Sequence, residues 1–236
     1  LDTIHKLEED GMADKTQGLV FAGDDLINNS GDKTLDVGKS DTDDIHMNTG
    51  FAGVTDTDHI NIKDGLEFVL VGKTDKDGKP SGDKLLSDAE NGGSVHVNTG
   101  TLTLGSNGVK DKTGGTLAEV VLDEQGNLVI KNGDFTVDRI ESDGSMHVTG
   151  GGKLTSNDVT LDKGDSKIDE GGVLVVEDGE SNGNLHIKGD GTLTNEGMLI
   201  AGGKDSHVDT LVDGDLVNKG TGLYDDMTIT NGGHYH

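Results

Sequence analysis

Clusters of acidic residues are the part of this sequence best suited to chemistry, because adjacent carboxylates can coordinate calcium. Three short clusters lie at residues 41–44, 56–58 and 75–78. A fourth segment, residues 178–189, matches the first half of an EF-hand loop, but its twelfth residue is Gly189 where a calcium loop has a bidentate glutamate. We therefore predict corner turns with solvated acids and no cofactor, calcium being the one ion that these clusters would favour.

The combinations of residues that would indicate an enzyme are incomplete. Arg139, the one arginine, stands between Asp138 and Glu141 and is expected to form a salt bridge rather than to contact a sugar substrate. Residues 38–40 and 72–74 resemble the end of a phosphate-binding loop, but both lack its earlier glycine. We predict that the chain is not an enzyme.

The charge of the chain limits its partners. The sequence has 45 Asp and Glu against 19 Lys and Arg, which gives a formal net charge of −26. Nucleic acids are excluded as partners because neutralising phosphates requires clustered basic residues. This charge, together with a hydrophobic content of 30%, also raises the alternative of a disordered chain.

Short runs of alternating apolar and polar residues argue against disorder. They occur at residues 94–97, 101–104, 127–130 and 227–230, and turn-forming residues separate such runs along the chain. A period of two bounded by turn residues predicts a β-strand with one buried face. No comparable helical stripe is present, so we predict an all-β fold.

The triplet Gly-x-Leu recurs through the second half of the chain with glycine-to-glycine steps of 26, 26, 20, 19 and 23 residues. A drifting period of this length is typical of a stacked solenoid. We predict a parallel β-helix of about ten coils of roughly 19–26 residues, formed by residues 1–236 as one domain. The polar stretch 72–93 is predicted to be a loop or hairpin that projects from the stack. The triplets begin at Gly100, Gly126, Gly152, Gly172, Gly191 and Gly214.

Four histidines are each flanked by two apolar residues, at His46, His96, His147 and His186. Neighbours on a strand point to opposite sides, so the apolar pairs would line the interior and the histidines an outer face. We interpret them as solvent-facing polar residues rather than as a functional row. His234 and His236 would share one side of a strand, but two ligands are too few to predict a metal site.

Two longer units, Gly191–Gly197 and Gly214–Gly220, follow the pattern Gly-x-Leu-x-Asn-x-Gly, and residues 126–133 and 172–179 are looser versions. Over Ser94 to Gly233 the chain resembles the passenger domain of type V autotransporters, the AIDA-like adhesins. The resemblance implies that the predicted fold is a right-handed parallel β-helix. The resemblance implies export by a Gram-negative bacterium, display at the cell surface, and a native chain that continues to a C-terminal outer-membrane β-barrel.

These observations lead to an adhesin hypothesis. We expect polar faces of the β-helix to mediate self-association between cells, as in autoaggregation and biofilm formation. The alternatives are binding of a host matrix protein or glycan, in part through the 72–93 loop, and a passive structural stalk. The candidate contact residues are Asp75, Asp77, Lys79, Asn98, Thr101, Thr103, Asn195 and Asn218.

Overall fold

The protein is all-β in the part that the computed structural model describes, with strands and no helix. The structure describes residues 94–105, 114–179, 181–203, 205–230 and 232–236. Before residue 94 it describes the backbone of seven short strands between residues 19 and 70. The predicted loop at 72–93 lies outside the described residues.

The strands are numbered in chain order. Their bounds are β1 Leu19–Ala22, β2 Asp25–Asn28, β3 Thr34–Val37, β4 Ile45–Met47, β5 Phe51–Ala52, β6 His59–Ile62, β7 Leu66–Leu70, β8 Ser94–Leu104, β9 Gly114–Ile130, β10 Gly133–Ser142, β11 Ser145–Val148, β12 Gly152–Ser156, β13 Asp158–Ile168, β14 Val173–Val176, β15 Gly183–Asn195, β16 Met198–Ala201, β17 Val208–Val212, β18 Asp215–Asn218, β19 Thr221–Tyr224, β20 Asp226–Ile229 and β21 His234–Tyr235.

From β9 onward the chain winds through three sheet faces, in which each strand pairs in parallel with the strands one coil before and after it. Face A contains the start of β9, the start of β10, β12, β14, β16 and β19. Face B contains the middle of β9, the end of β10, the starts of β13 and β15, β17 and β20. Face C contains the end of β9, β11, the ends of β13 and β15, β18 and β21. This arrangement is a β-solenoid.

The solenoid makes about six turns. We number the coils 1 to 6, as residues 114–130, 133–148, 152–168, 173–195, 198–218 and 221–235. Faces B and C continue before coil 1, through β8 to β6 and β7 and then to β3 and β4.

The prediction of an all-β parallel solenoid is confirmed, but the count of about ten coils is wrong. That count extended the later spacing over the whole chain. Strands β1, β2 and β5 instead form a separate three-stranded sheet, in which β1 pairs antiparallel with β2.

The core consists of inward side chains that stack on their counterparts in neighbouring coils. Strand β15 shows the alternation, because Leu185, Ile187 and Leu193 are fully buried while His186, Thr192 and Thr194 face outward. Burying an aliphatic side chain of this size contributes about 1.5–3 kcal/mol. Coil-to-coil stacking therefore replaces the thick core of a globular domain.

The Gly-x-Leu triplets mark two different corners of the solenoid. Gly126 and Gly214 lie where the chain turns from face B to face C, whereas Gly152 and Gly172 lie where it turns into face A. At Gly214 an added Cβ would lie 2.1 Å from the carbonyl oxygen of Lys188 on the previous coil. The glycine is required because the backbones of successive coils approach too closely for a side chain.

Candidate functional site

The predicted contact residues are divided between the surface and the interior. Asp75, Asp77 and Lys79 lie outside the described residues. Asn98 and Thr101 are partly exposed near the corner between faces B and C. Thr103 is only 2% exposed, so it is not available to a partner.

Asn195 is also unavailable to a partner, because it is fully buried at the end of face C in coil 4. Its Nδ2 atom donates to Asn218 Oδ1 and to the Thr221 carbonyl oxygen, both at 2.9 Å, and its Oδ1 atom accepts from the Gly197 amide at 3.1 Å. The side chain therefore joins successive coils at a corner. Asn218 is partly exposed, and its amide nitrogen lies 3.4 Å from the Tyr235 hydroxyl.

Three of the predicted outward histidines do face outward, and each has an aspartate partner one coil later. His186 pairs in register with Leu211, and its acid partner Asp213 follows two residues further on. The other two pairs repeat this offset. The distances from histidine Nε2 to carboxylate oxygen are 2.9 Å for His96–Asp123, 2.9 Å for His147–Asp169 and 2.6 Å for His186–Asp213.

Two of these pairs lower the pKa of their aspartate. The hydrogen bond from His186, then that from Thr230, holds the pKa of Asp213 below its ordinary value. Burial raises the pKa of Asp169, but the opposing effects of His147 and Lys167 are larger, so the net shift is downward. In these two pairs the carboxylate is thus stabilised in its charged form.

Acid should weaken the link between coils 5 and 4. Since the pKa of Asp213 is lower in the folded than in the unfolded chain, its stabilising effect is present above about pH 4 and is lost as the pH falls through the depressed pKa. NMR titration of the Asp213 carboxyl should show this low pKa, and His186→Ala should move it toward the ordinary value. An identical Asp213 pKa in both proteins would contradict the assignment.

Arg139 forms the predicted salt bridge. It lies outward on face B in coil 2, where it contacts Glu119 of coil 1, and its Nη2 atom lies 2.8 Å from Glu141 Oε2. These contacts raise the pKa of the guanidinium. The guanidinium of Arg139 is ion-paired with two carboxylates, as expected for a structural residue.

The calcium candidates do not form a cage within the described residues. The clusters at 41–44, 56–58 and 75–78 lie outside the residues whose side chains are described. In the EF-hand-like segment, Asp178 Oδ1 accepts a hydrogen bond from the His207 amide at 2.8 Å, and strand β15 already begins at Gly183.

Residues 179–183 also have the pattern Gly-x-Ser-x-Gly, which marks the nucleophile turn of some hydrolases. A nucleophile turn leads into a helix, whereas this segment leads into strand β15.

Face A differs from the other two faces in charge. On coils 3 to 6 its outward side chains include no acid, although the chain has 45 acids. Five of these side chains are stacked apolar residues, which we call the apolar strip. The strip consists of Val173, Val175, Met198, Ile200 and Leu223.

The apolar strip is open to solvent. Met198 is 38% and Leu223 is 56% exposed, and the other three side chains are partly exposed. Faces B and C carry acids at the equivalent outward positions, such as Asp209 and Asp226 on face B and Asp165 on face C. On coils 3 to 6, face A therefore presents a stacked apolar surface without outward acids, whereas the exposed Ile229 and Tyr235 are single apolar side chains on faces B and C.

Comparison of the chain with protein-family models, with curated proteins and with solved structures finds no match. Within the described residues, no helix is long and apolar enough to cross a membrane.

Proposed function

We propose that this chain is part of a self-associating adhesin, in which the apolar strip on face A of one copy docks on face A of a second copy. The observation that carries the proposal is a stacked apolar surface without acids on a chain of charge −26. Display on a Gram-negative cell surface, with a role in autoaggregation, is part of the proposal and is supported by the resemblance of the repeats to autotransporter passengers.

Charge explains why a second copy would use this face. Two copies that met through face B would oppose carboxylates such as Asp158, Asp209 and Asp226. Like charges in contact are destabilising and are relieved only by screening or a bridging cation. On coils 3 to 6, face A offers an approach without that repulsion, and a two-fold axis would place the same strip on both sides of the contact.

The expected contact is weak for a single pair of molecules. Five partly exposed apolar side chains from each copy would contribute about 1 kcal/mol each, against an association cost of about 4–15 kcal/mol. Many copies on two opposed cells would convert this weak contact into strong adhesion through avidity. The proposed contact surface is thus face A, instead of the polar contact residues predicted from the sequence.

Sedimentation velocity over a concentration series tests the proposal. The wild-type chain should dimerise reversibly, and added salt should strengthen the dimer by screening the remaining repulsion. Val175→Asp should abolish dimerisation because it places a carboxylate in the centre of the strip. The matched control is Val217→Asp, at the equivalent outward position of face C, which should leave dimerisation unchanged.

Circular dichroism of both variants checks that the solenoid is intact. A wild-type chain that stays monomeric at every concentration, or equal loss of the dimer in both variants, would refute docking through face A. A folded monomer that instead binds a matrix protein or glycan would favour the host-ligand alternative.

A further inference from the structure

Three carboxylates surround His207, at the corner where coil 5 passes from face A to face B. Asp225 Oδ2 lies 2.9 Å and Asp226 Oδ2 lies 3.7 Å from His207 Nδ1. On the other side of the ring, Asp209 Oδ1 lies 3.3 Å from Nε2. The potential ligand atoms of His207, Asp225 and Asp226 all lie within 4.8 Å of one another.

We propose that His207 Nδ1 and the carboxylates of Asp225 and Asp226 bind a divalent transition-metal ion such as Zn²⁺. The site would join coil 5, which carries His207, to coil 6, which begins just before the two aspartates. This inference is independent of self-association through face A.

Proton counting favours a cation between these groups. A neutral imidazole has one N–H, so it can donate to the carboxylates on only one side and must turn a lone pair toward those on the other. A protonated ring would satisfy both sides but leave one positive charge against three negative ones. A divalent ion on Nδ1 accepts the lone pair, neutralises two carboxylates, and leaves Nε2–H to donate to Asp209.

The position of Asp209 matches that of a residue that orients a metal ligand. Metal-binding histidines commonly donate their second N–H to a carboxylate, which fixes the tautomer and the ring orientation. Among the described residues, the three histidines paired with an aspartate, His96, His147 and His186, have no such arrangement of acids on both ring nitrogens. His207 therefore differs from them in the way expected of a ligand.

The backbone holds the ligands in place. The His207 amide donates to Asp178 Oδ1 at 2.8 Å, and the Gly183 amide donates to the His207 carbonyl at 2.9 Å. Asp225 is fixed on the facing coil, because its amide donates to the Ala201 carbonyl at 2.9 Å. The preceding turn includes Asp205 at a φ of 64°, an unusual conformation for a residue with a side chain.

The donor set indicates which metal fits. Zinc accepts imidazole nitrogen and carboxylate oxygen at about 2.0–2.2 Å, so two ligand atoms in a tetrahedral site lie about 3.4 Å apart. The distances of 2.9 and 3.7 Å from Nδ1 bracket this value. Calcium prefers oxygen ligands throughout and is disfavoured by the imidazole. Water would complete the coordination, because both aspartates are exposed.

Isothermal titration of the metal-free chain with Zn²⁺, and absorption spectroscopy with Co²⁺, test the site. Asp226→Asn should weaken binding by about 10-fold or more, and Asp209→Asn by about 10-fold through loss of the orienting contact. Asp226 is the ligand least needed for folding, since its side chain is 64% exposed and contacts His207 only at 3.7 Å. His207→Gln should abolish the tetrahedral Co²⁺ spectrum.

Two controls separate this site from other histidines. His186→Gln removes a histidine with one acid partner and should leave binding unchanged. A double variant, His234→Ala with His236→Ala, removes the pair of stacked rings near the end of the described chain and should also leave it unchanged. No binding by the wild-type chain, or binding lost only in the double variant, would overturn the proposal. Equal affinity in the wild-type, Asp226→Asn and His207→Gln proteins would overturn it as well.

Discussion

Replacing Phe135 by Ala should lower the free energy of unfolding by about 3–5 kcal/mol. Phe135 is fully buried and has one of the largest side chains in the described core. It lies on face A of coil 2, in register with Gly115 before it and Leu154 after it. Because Gly115 has no side chain to expand into the space, removal of the ring would leave a cavity between coils.

Urea unfolding followed by circular dichroism measures this loss. Thr136→Ala is the matched control, because Thr136 is the next residue on the same strand and faces outward. The control should change stability by less than about 1 kcal/mol. A loss at Phe135 no larger than that of the control would mean that the neighbouring coils collapse into the cavity.

Replacing Gly164 by Ala should destabilise the solenoid by roughly 3 kcal/mol, although it adds a single methyl group. Gly164 has a φ of +83°, and an added Cβ would lie 2.1 Å from the Gly144 carbonyl oxygen on the previous coil. The left-handed conformation costs about 1–2 kcal/mol for a residue with a side chain, and the overlap costs about 1–3 kcal/mol. The obstructing atom belongs to the backbone, so it has no alternative rotamer.

Gly189→Ala is the matched control for Gly164→Ala. Gly189 lies in strand β15 at the same corner one coil later, but an added Cβ there would meet no atom within 4 Å. Its replacement should change stability by no more than about 0.5 kcal/mol. Equal effects of the two substitutions would show that the glycines are not required for close approach of the coils.

The fold class could be predicted from sequence because the alternating runs carry a period of two. Ser94–Val97 and Asn127–Ile130 lie within strands β8 and β9, with their aliphatic residues Val95, Val97, Leu128 and Ile130 buried. The coil boundaries could not be predicted. The Gly-x-Leu triplet occurs at two corners, so the steps from Gly126 to Gly152 and from Gly172 to Gly191 are not single coils.

The surface contacts were harder to predict than the buried face. The outward direction of His147 follows from its flanking residues Met146 and Val148, which are buried. Its partner Asp169 belongs to the next coil, and coil length varies too much to fix that pairing from sequence. Thr103 and Asn195 were predicted to be exposed because they are polar, but burial of a polar side chain depends on partners that the local pattern does not show.

The apolar strip and the His207 cluster were not found from the sequence. Residues 173–176 are all apolar, so alternation cannot show that Val173 and Val175 face outward. His207 lacks the apolar flanks that identified the other histidines, and its proposed ligands lie on a different coil. A search for acids one coil after each histidine, rather than for local motifs, would have found them.

The direction of the hydrogen bonds between coils has a mechanical consequence for the proposed adhesin, which would be held between two cells. These bonds run along the solenoid axis, so tension along the axis loads successive coil-to-coil junctions in series, and the weakest junction opens first. Register places Met227 17 residues after Thr210 and Leu193 27 residues after Ser166. Each opened coil would then release about 60–90 Å of chain, at about 3.4 Å per residue. Stretching should dissipate work in many small steps, which would protect an adhesive contact from a sudden pull.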